Sequence, residues 1–293
     1  MNAIELNNIE KIRSLSQVYF PSAIRSLIGH SKSANIESRI VKHKDVIISK
    51  NKTIKFSEFL SRLYSRMLHT YRNEYIFKNT IINELWLGKH QFNNSTLLRE
   101  LKIGKSVADL VFINGGVSIY EIKTNLDNLD RLESQLKDYK KVIEKIYIVT
   151  DSTFVDELIK TYKHKSYGII ELTKSEKLKI HKEAKIDKKY FKHDTLFKLL
   201  RKDEYVELIK IRFGIIPGVP NTQLFKTCLR LIKEIEIVEF QKLVFQILRN
   251  RKVSNPEFLL SRKTPFELKY ACYSLDLSNK QYSILYDVLN KRI

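Results

Sequence analysis

Residues 106–123 constrain the fold of this chain more than any other segment. Two β-prone runs, Ser106 to Ile113 and Val117 to Lys123, flank the tripeptide Asn114-Gly115-Gly116. Asn-Gly and Gly-Gly steps between such runs are a hairpin signal, because they tolerate the backbone conformations that a tight turn requires. The sequence therefore predicts an antiparallel hairpin whose register places Ile113 opposite Val117.

The same register brings charged residues together on one face of the hairpin. It places Asp109 opposite Glu121, with Cβ atoms about 5 Å apart. Lys123 lies two residues after Glu121 and so shares its face, whereas Ile122 points into the apolar layer. Two facing carboxylates repel each other unless a shared proton, a basic neighbour or a metal ion neutralises them.

Binding of a divalent metal ion would allow this cluster to act in catalysis. Carboxylate oxygens suit a hard cation, whose other coordination positions are free to hold water and a phosphate oxygen. A lysine beside the cation is placed to orient the attacking water or to help deprotonate it. The alternative interpretation is a surface Glu–Lys pair across a solvated hairpin face.

Asp109 followed by Glu121-Ile122-Lys123 on the next strand resembles the catalytic core of the PD-(D/E)XK, or restriction-endonuclease-like, superfamily. The resemblance implies that Asp109, Glu121 and the backbone carbonyl of Ile122 bind Mg²⁺, with Mn²⁺ able to substitute. It implies that Lys123 positions the water. Ala108 stands where the family often has proline.

A further acid on the helix before the hairpin is common in that superfamily, and Glu74 and Glu84 are the candidates. On a helical wheel Glu74 falls near the centre of an apolar stripe and Glu84 at its edge. A carboxylate within a buried stripe is costly unless it is paired. Glu74 is therefore predicted to support the metal, and a salt bridge from Glu74 to a nearby basic residue is the alternative.

Gln135 and Tyr139 lie four residues apart on the helix predicted after the hairpin, so they share one helical face. The pair resembles one in a RecB-like branch of the same superfamily, where the two side chains contact nucleic acid or shape the site. The alternative is a tyrosine that faces the core beside a glutamine at the surface.

The order of predicted elements indicates an α/β fold: a restriction-endonuclease-like mixed sheet flanked by helices, followed by an all-α C-terminal domain. Three segments are predicted: an N-terminal helical lead-in at 1–54, the nuclease-like domain at 55–185 and the helical domain at 186–293. The elements expected after the hairpin are a helix at 129–145, a strand at 145–150, a helix at 154–162, and strands at 166–172 and 178–182.

The composition favours a polyanionic partner. The 293 residues include 53 Lys and Arg against 33 Asp and Glu, a formal net charge of +20. Each phosphate that a basic residue neutralises releases counterions, which favours nucleic-acid binding. Solubility and codon bias also produce lysine-rich chains. The C-terminal region, which alternates basic and apolar residues, is equally compatible with a DNA-binding module and with an amphipathic bundle.

Several classes of protein are disfavoured. Cys228 and Cys272 show no CxxC spacing, which disfavours a zinc site or disulfide framework and makes a reducing cytoplasm the expected location. No window of 18 apolar residues indicates a membrane span. Neither a GxxxxGK[ST] nor a GxGxxG motif is present, so a nucleotide-hydrolysing motor is not encoded.

The sequence therefore predicts an Mg²⁺-dependent nuclease that hydrolyses phosphodiester bonds in DNA, in defence against foreign DNA or in repair. The residues do not distinguish DNA from RNA, and a homodimer or a protein partner is left open. Two alternatives remain: a non-catalytic DNA-binding or regulatory protein on a nuclease-like core, and an interaction module whose lysine-rich helices contact another protein.

Overall fold

The computed structural model describes residues 3–29, 34–49, 52–88 and 92–293. Contacts divide the chain into two compact units. Unit 1 contains Met1–Lys89, Lys174–Lys177 and Val253–Ile293, and unit 2 contains His90–Thr173 and Leu178–Lys252. This division differs from the three predicted segments, because the last helices of the chain belong with the N-terminal ones.

Unit 1 is built from helices, which are numbered here along the whole chain. They are α1 (Ala3–Ser16), α2 (Pro21–Ile28), α3 (Ala34–His43), α4 (Phe56–Thr70), α5 (Glu74–Ile81), α12 (Pro256–Leu260), α13 (Lys269–Leu275) and α14 (Asn279–Asn290). A π-helical turn, Ile82–Leu87, extends α5. The chain end closes the unit, since Phe56 N donates to Lys291 O at 2.8 Å.

Unit 2 contains a six-stranded mixed sheet with the strands in sequence order. The strands are β1 (Thr96–Ile103), β2 (Ser106–Asn114), β3 (Gly116–Lys123), β4 (Lys145–Thr150), β5 (Gly168–Leu172) and β6 (Leu178–Lys182). β1, β2 and β3 form an antiparallel meander, β3, β4 and β5 run parallel, and β6 returns antiparallel. The predicted α/β class with a mixed sheet is confirmed.

The hairpin register is the predicted one. Ile113 pairs with Val117 and Val111 with Ile119. The turn is tighter than the predicted three-residue loop, because Asn114 and Gly116 already pair and Gly115 alone forms the apex at φ +68°. Glycine adopts this left-handed conformation without the steric cost that a Cβ atom adds.

Helices complete unit 2. They are α6 (Leu132–Tyr139), α7 (Val155–Thr161), α8 (His193–Phe197), α9 (Lys202–Phe213), α10 (Asn221–Leu231) and α11 (Ile237–Leu248). Apolar side chains of the sheet and of α6 join those of α8 to α11 in one continuous core. The helix predicted at 129–145 is shorter, because Lys140 and Lys141 already lie in the turn that leads into β4.

Residues 183–293, all of which the structure describes, contain helices and no strand, as predicted for the C-terminal part of the chain. These helices are shared between the two units and do not form one separate domain. Among the residues that the structure describes, no helix has the length and apolar character needed to cross a lipid bilayer.

Candidate functional site

The candidate site lies where strands β2 and β3 leave their antiparallel ladder. The backbone ladder reaches Leu110 and Tyr120, and beyond it the side chain of Asp109 replaces the backbone as hydrogen-bond acceptor. Ile122 N donates to Asp109 Oδ2 at 2.9 Å. Asp109 therefore sits against the backbone between Glu121 and Lys123, so the structure brings the three predicted residues together.

Glu121 is the buried centre of this cluster. Its side chain is 1% exposed, and Lys123 Nζ donates to its Oε1 at 2.7 Å. Tyr139 Oη donates to its Oε2 at 2.7 Å. A buried carboxylate is stable only when it is paired and hydrogen-bonded, and here both oxygens have a partner. The sequence left open whether a shared proton, a basic neighbour or a metal ion neutralises the carboxylate. In the structure the basic neighbour Lys123 is paired with Glu121.

Tyr139 reaches the cluster from helix α6. Its side chain is fully buried, and its Oη also lies 2.9 Å from Val107 O. Burial raises the pKa of Tyr139 well above its usual value, and the adjacent Glu121 carboxylate raises it further. The phenol thus remains a neutral donor. Tyr139 has no exposed surface, so it faces the core. The predicted contact of Tyr139 with a substrate therefore does not fit the structure.

Two polar atoms near this cluster lack a hydrogen-bond partner among the residues that the structure describes: Gln135 Oε1 and Thr150 Oγ1. Gln135 lies one turn before Tyr139 on α6. Thr150 ends β4 directly beside Lys123 in the parallel ladder, so the two side chains share one face of the sheet. Thr150 was not predicted from the sequence, although its place at the end of a buried strand was a usable signal.

Two aspartates fix the loops at the carboxyl ends of β3 and β4, and one of them, Asp151, links the two loops. Asp127 Oδ2 accepts from Thr124 N at 2.9 Å and from Thr124 Oγ1 at 2.8 Å. Asp151, which is buried, accepts from Asn125 N at 3.3 Å and from Thr153 N at 2.9 Å. These acids satisfy backbone donors, which fixes the loops beside Lys123.

Glu74 is not in the buried position expected from the helical wheel. It begins α5, its side chain is 54% exposed, and it forms an i,i+4 ion pair with Lys78. The expectation failed because the wheel assumed one continuous helix, whereas α4 ends at Thr70 and α5 begins only at Glu74. Glu84 is 3.7 Å from Lys177, and both acids belong to unit 1, whereas Asp109 and Glu121 belong to unit 2.

The donors of the cluster fit a metal ion only in part. No group of three or more His, Cys, Asp and Glu side chains within the described ranges is arranged to hold a metal. An ion at Asp109, Glu121 and the Ile122 carbonyl would compete with Lys123 and Tyr139 for Glu121. Mg²⁺ is often held by one or two carboxylates with water, so binding of Mg²⁺ or Mn²⁺ stays a prediction.

The comparison with known families indicates a different family from the one that the motif suggested. The family model of bacteriophage P4 protein cII matches residues 67–271, which is more than half of the chain. The chain belongs to the bacteriophage P4 cII protein family. Protein cII of Enterobacteria phage P4 is 28% identical to it over 184 residues, which cover 60% of this chain and 67% of that protein.

A solved structure was also matched, a protein of unknown function from Silicibacter pomeroyi. It is 14% identical, covers 44% of this chain and 87% of its own, and has a TM-score of 0.28. A score this low does not bear on fold or function.

The assignment to the PD-(D/E)XK superfamily is therefore wrong, and the nuclease, hydrolase and magnesium-binding description that followed from it is unsupported. The physical reason lies in the motif itself. An acid, a short gap and Glu-x-Lys are common in a lysine-rich chain. In this member of the cII family the lysine forms an ion pair with the glutamate of the motif.

Proposed function

We propose that this member of the phage P4 cII family is a non-catalytic, regulatory DNA-binding protein. The observation that carries the proposal is the contrast between its acids and its bases. The central carboxylate, Glu121, is buried and both of its oxygens accept hydrogen bonds. In contrast, most of the Lys and Arg side chains that the structure describes are exposed or partly exposed.

The buried cluster is best explained as a structural connection. Lys123, Glu121 and Tyr139 join strand β3 to helix α6, and Asp109 joins β2 to β3 through Ile122 N. A fully satisfied polar network of this kind stabilises and orients the elements that it connects. Lys123 neutralises Glu121 without any bound group, which supports a scaffold role.

The basic excess supports DNA as the partner. The chain carries 53 Lys and Arg against 33 Asp and Glu. Lysines on an exposed surface bind phosphates, and the release of condensed counterions makes that binding favourable and dependent on salt. A protein of this charge attracts a polyanion before any specific contact forms. The proposal includes a cytoplasmic location. A restriction-endonuclease-like arrangement of the sheet, a homodimer and a protein partner stay predictions. Metal-dependent catalysis is an untested prediction from the sequence that this proposal replaces.

Binding of labelled duplex DNA, followed by fluorescence anisotropy over a series of salt concentrations, tests the proposal. The purified full chain is measured in EDTA, in Mg²⁺ and in Mn²⁺, and the DNA is recovered afterwards on a gel. We expect binding in EDTA, a linear fall of log affinity with log salt concentration, and intact DNA in every sample.

Two results would contradict the proposal. Absence of binding at low salt removes DNA as the partner. Cleavage in Mg²⁺ that is lost in Asp109→Asn, but retained in the exposed control Asp130→Asn, restores the catalytic prediction and removes the non-catalytic one.

A further inference from the structure

A strongly basic concave surface of unit 2 is a cavity of about 600 Å³ beside strands β5 and β6. Its walls come from the turn between α7 and β5 and from the chain that follows β6. Six lysines and a tyrosine characterise the lining: Lys140, Lys163, Lys165, Lys182, Lys185, Lys189 and Tyr190. The surrounding sequence, residues 160–192, contains eleven lysines and four acids.

One of these lysines, Lys182, stabilises the wall of the cavity by hydrogen bonds to backbone carbonyls. Lys182 Nζ donates to Tyr162 O at 2.8 Å, to Lys165 O at 2.6 Å and to Tyr167 O at 2.7 Å. Burial, and then the nearby Lys185, lower the pKa of Lys182. The ammonium group thus holds the turn after α7 against β6, which fixes the positions of Lys163 and Lys165.

The acid in the lining is already neutralised. Asp187 Oδ2 accepts from Lys140 Nζ at 3.0 Å and from Ser166 Oγ at 3.1 Å. Burial alone would raise the pKa of Asp187, but the hydrogen bonds from Lys140 and Ser166 lower it overall. Asp187 therefore remains ionised and committed to Lys140, and it does not neutralise the other lysines.

Four lysines are left with their charge facing the cavity. Lys163, Lys165, Lys185 and Lys189 are exposed. None has a carboxylate within ion-pair distance among the residues that the structure describes. Like charges gathered in a concave surface repel one another and focus a positive potential, which an anion with several charges relieves.

The lining also offers an aromatic surface. The ring of Tyr190 is 52% exposed, and Lys140 Nζ lies 4.8 Å from its centroid, which holds the ring in place. Exposed tyrosines beside lysines are typical of surfaces that bind nucleic acid, where the ring contacts a base or sugar and the ammonium groups contact phosphates. An acidic peptide gains nothing comparable from the ring.

We infer that this lysine-lined cavity is where the protein binds the phosphate backbone of DNA. The inference rests on the proposed DNA binding and specifies the surface that performs it. Phosphates contact Lys163, Lys165, Lys185 and Lys189, while Lys182 and the Lys140–Asp187 pair keep the walls in place.

Two triple variants of equal charge test the inference. The cavity variant carries Lys163→Ala, Lys165→Ala and Lys185→Ala, and the control carries Lys198→Ala, Lys226→Ala and Lys242→Ala, which are exposed lysines of the same unit outside the cavity. Affinity for duplex DNA is measured at several salt concentrations. We expect the log–log slope to fall by about 2 to 3 in the cavity variant and by less than about 1 in the control.

The outcomes separate this inference from the proposed function. If the unmodified protein binds no DNA, the proposed function fails. If it binds DNA and the two triple variants lose affinity equally, only the cavity assignment fails. Poly-glutamate is the competitor for the acidic-partner alternative: displacement of DNA by poly-glutamate, with equal dependence on the cavity lysines, overturns the preference for nucleic acid.

Discussion

Tyr139 Oη and Glu121 Oε2 are 2.7 Å apart, and this hydrogen bond joins helix α6 to strand β3. The two residues are 18 positions apart in the chain and both are buried. Because Lys123 occupies the other oxygen of Glu121, the three side chains form a charge-balanced connection between the hairpin and the helix that covers it. Removing any one of them leaves a buried polar atom unsatisfied.

Tyr139→Phe is expected to lower the free energy of unfolding by about 1 to 3 kcal/mol, because Glu121 Oε2 loses its donor while the ring is retained. Urea denaturation followed by circular dichroism measures the change. Tyr162→Phe is the matched control. Tyr162 is also buried in unit 2, and among the described residues its hydroxyl forms no hydrogen bond to a carboxylate.

Lys123→Met is expected to be more damaging, with a loss of about 3 to 5 kcal/mol, because it leaves a buried carboxylate without its cation. Replacing both partners removes that cost, so Lys123→Met combined with Glu121→Leu should recover much of the loss. A double-mutant cycle by urea denaturation measures the coupling. Equal losses in the single and double variants would show that the ion pair is not what stabilises the site.

The exposed pair Lys137 and Glu133 on α6 is the control for that cycle. Both side chains are 71% exposed and lie 2.9 Å apart as an i,i+4 pair. Solvent screens such a pair, so Lys137→Met should leave the unfolding midpoint unchanged.

The local geometry of the site was predictable because it follows from the hairpin register. Asn114-Gly115-Gly116 sets the turn, the turn sets the pairs Ile113–Val117 and Val111–Ile119, and those pairs put Asp109, Glu121 and Lys123 together. What neutralises Glu121 was not predictable. The partner that completes the cluster, Tyr139, comes from a helix whose packing over the sheet is a tertiary contact.

The division into units depended on long-range contacts of the same kind. Lys55 forms a β-bridge with Arg292, which brings the end of the chain to the N-terminal helices. No local period reveals that contact. The family was missed for another reason: Asp109 and Glu121-Ile122-Lys123 make a short motif, whereas the family match extends over residues 67–271.

The last prediction concerns pH and a lysine of unit 1. Lys269 Nζ donates to Leu259 O and to Ser261 O, and burial lowers the pKa of Lys269 to about 8. Since the ordinary value is 10.5, the folded protein releases this proton first. Between about pH 8 and 10.5 the unfolded chain binds more protons than the folded one, so the contribution of Lys269 to stability rises with pH.

Lys269→Met removes this titration. The unfolding free energy of the unmodified protein, minus that of Lys269→Met, should increase by about 1 to 2 kcal/mol between roughly pH 7.5 and 9.5. Taking the difference cancels the thiols and tyrosines that ionise in the unfolded chain at higher pH. Lys280→Met, at an exposed position of α14, should show no such change. A difference that stays constant with pH, or falls, would mean that Lys269 keeps its proton in the folded protein and that its two carbonyl partners outweigh its burial.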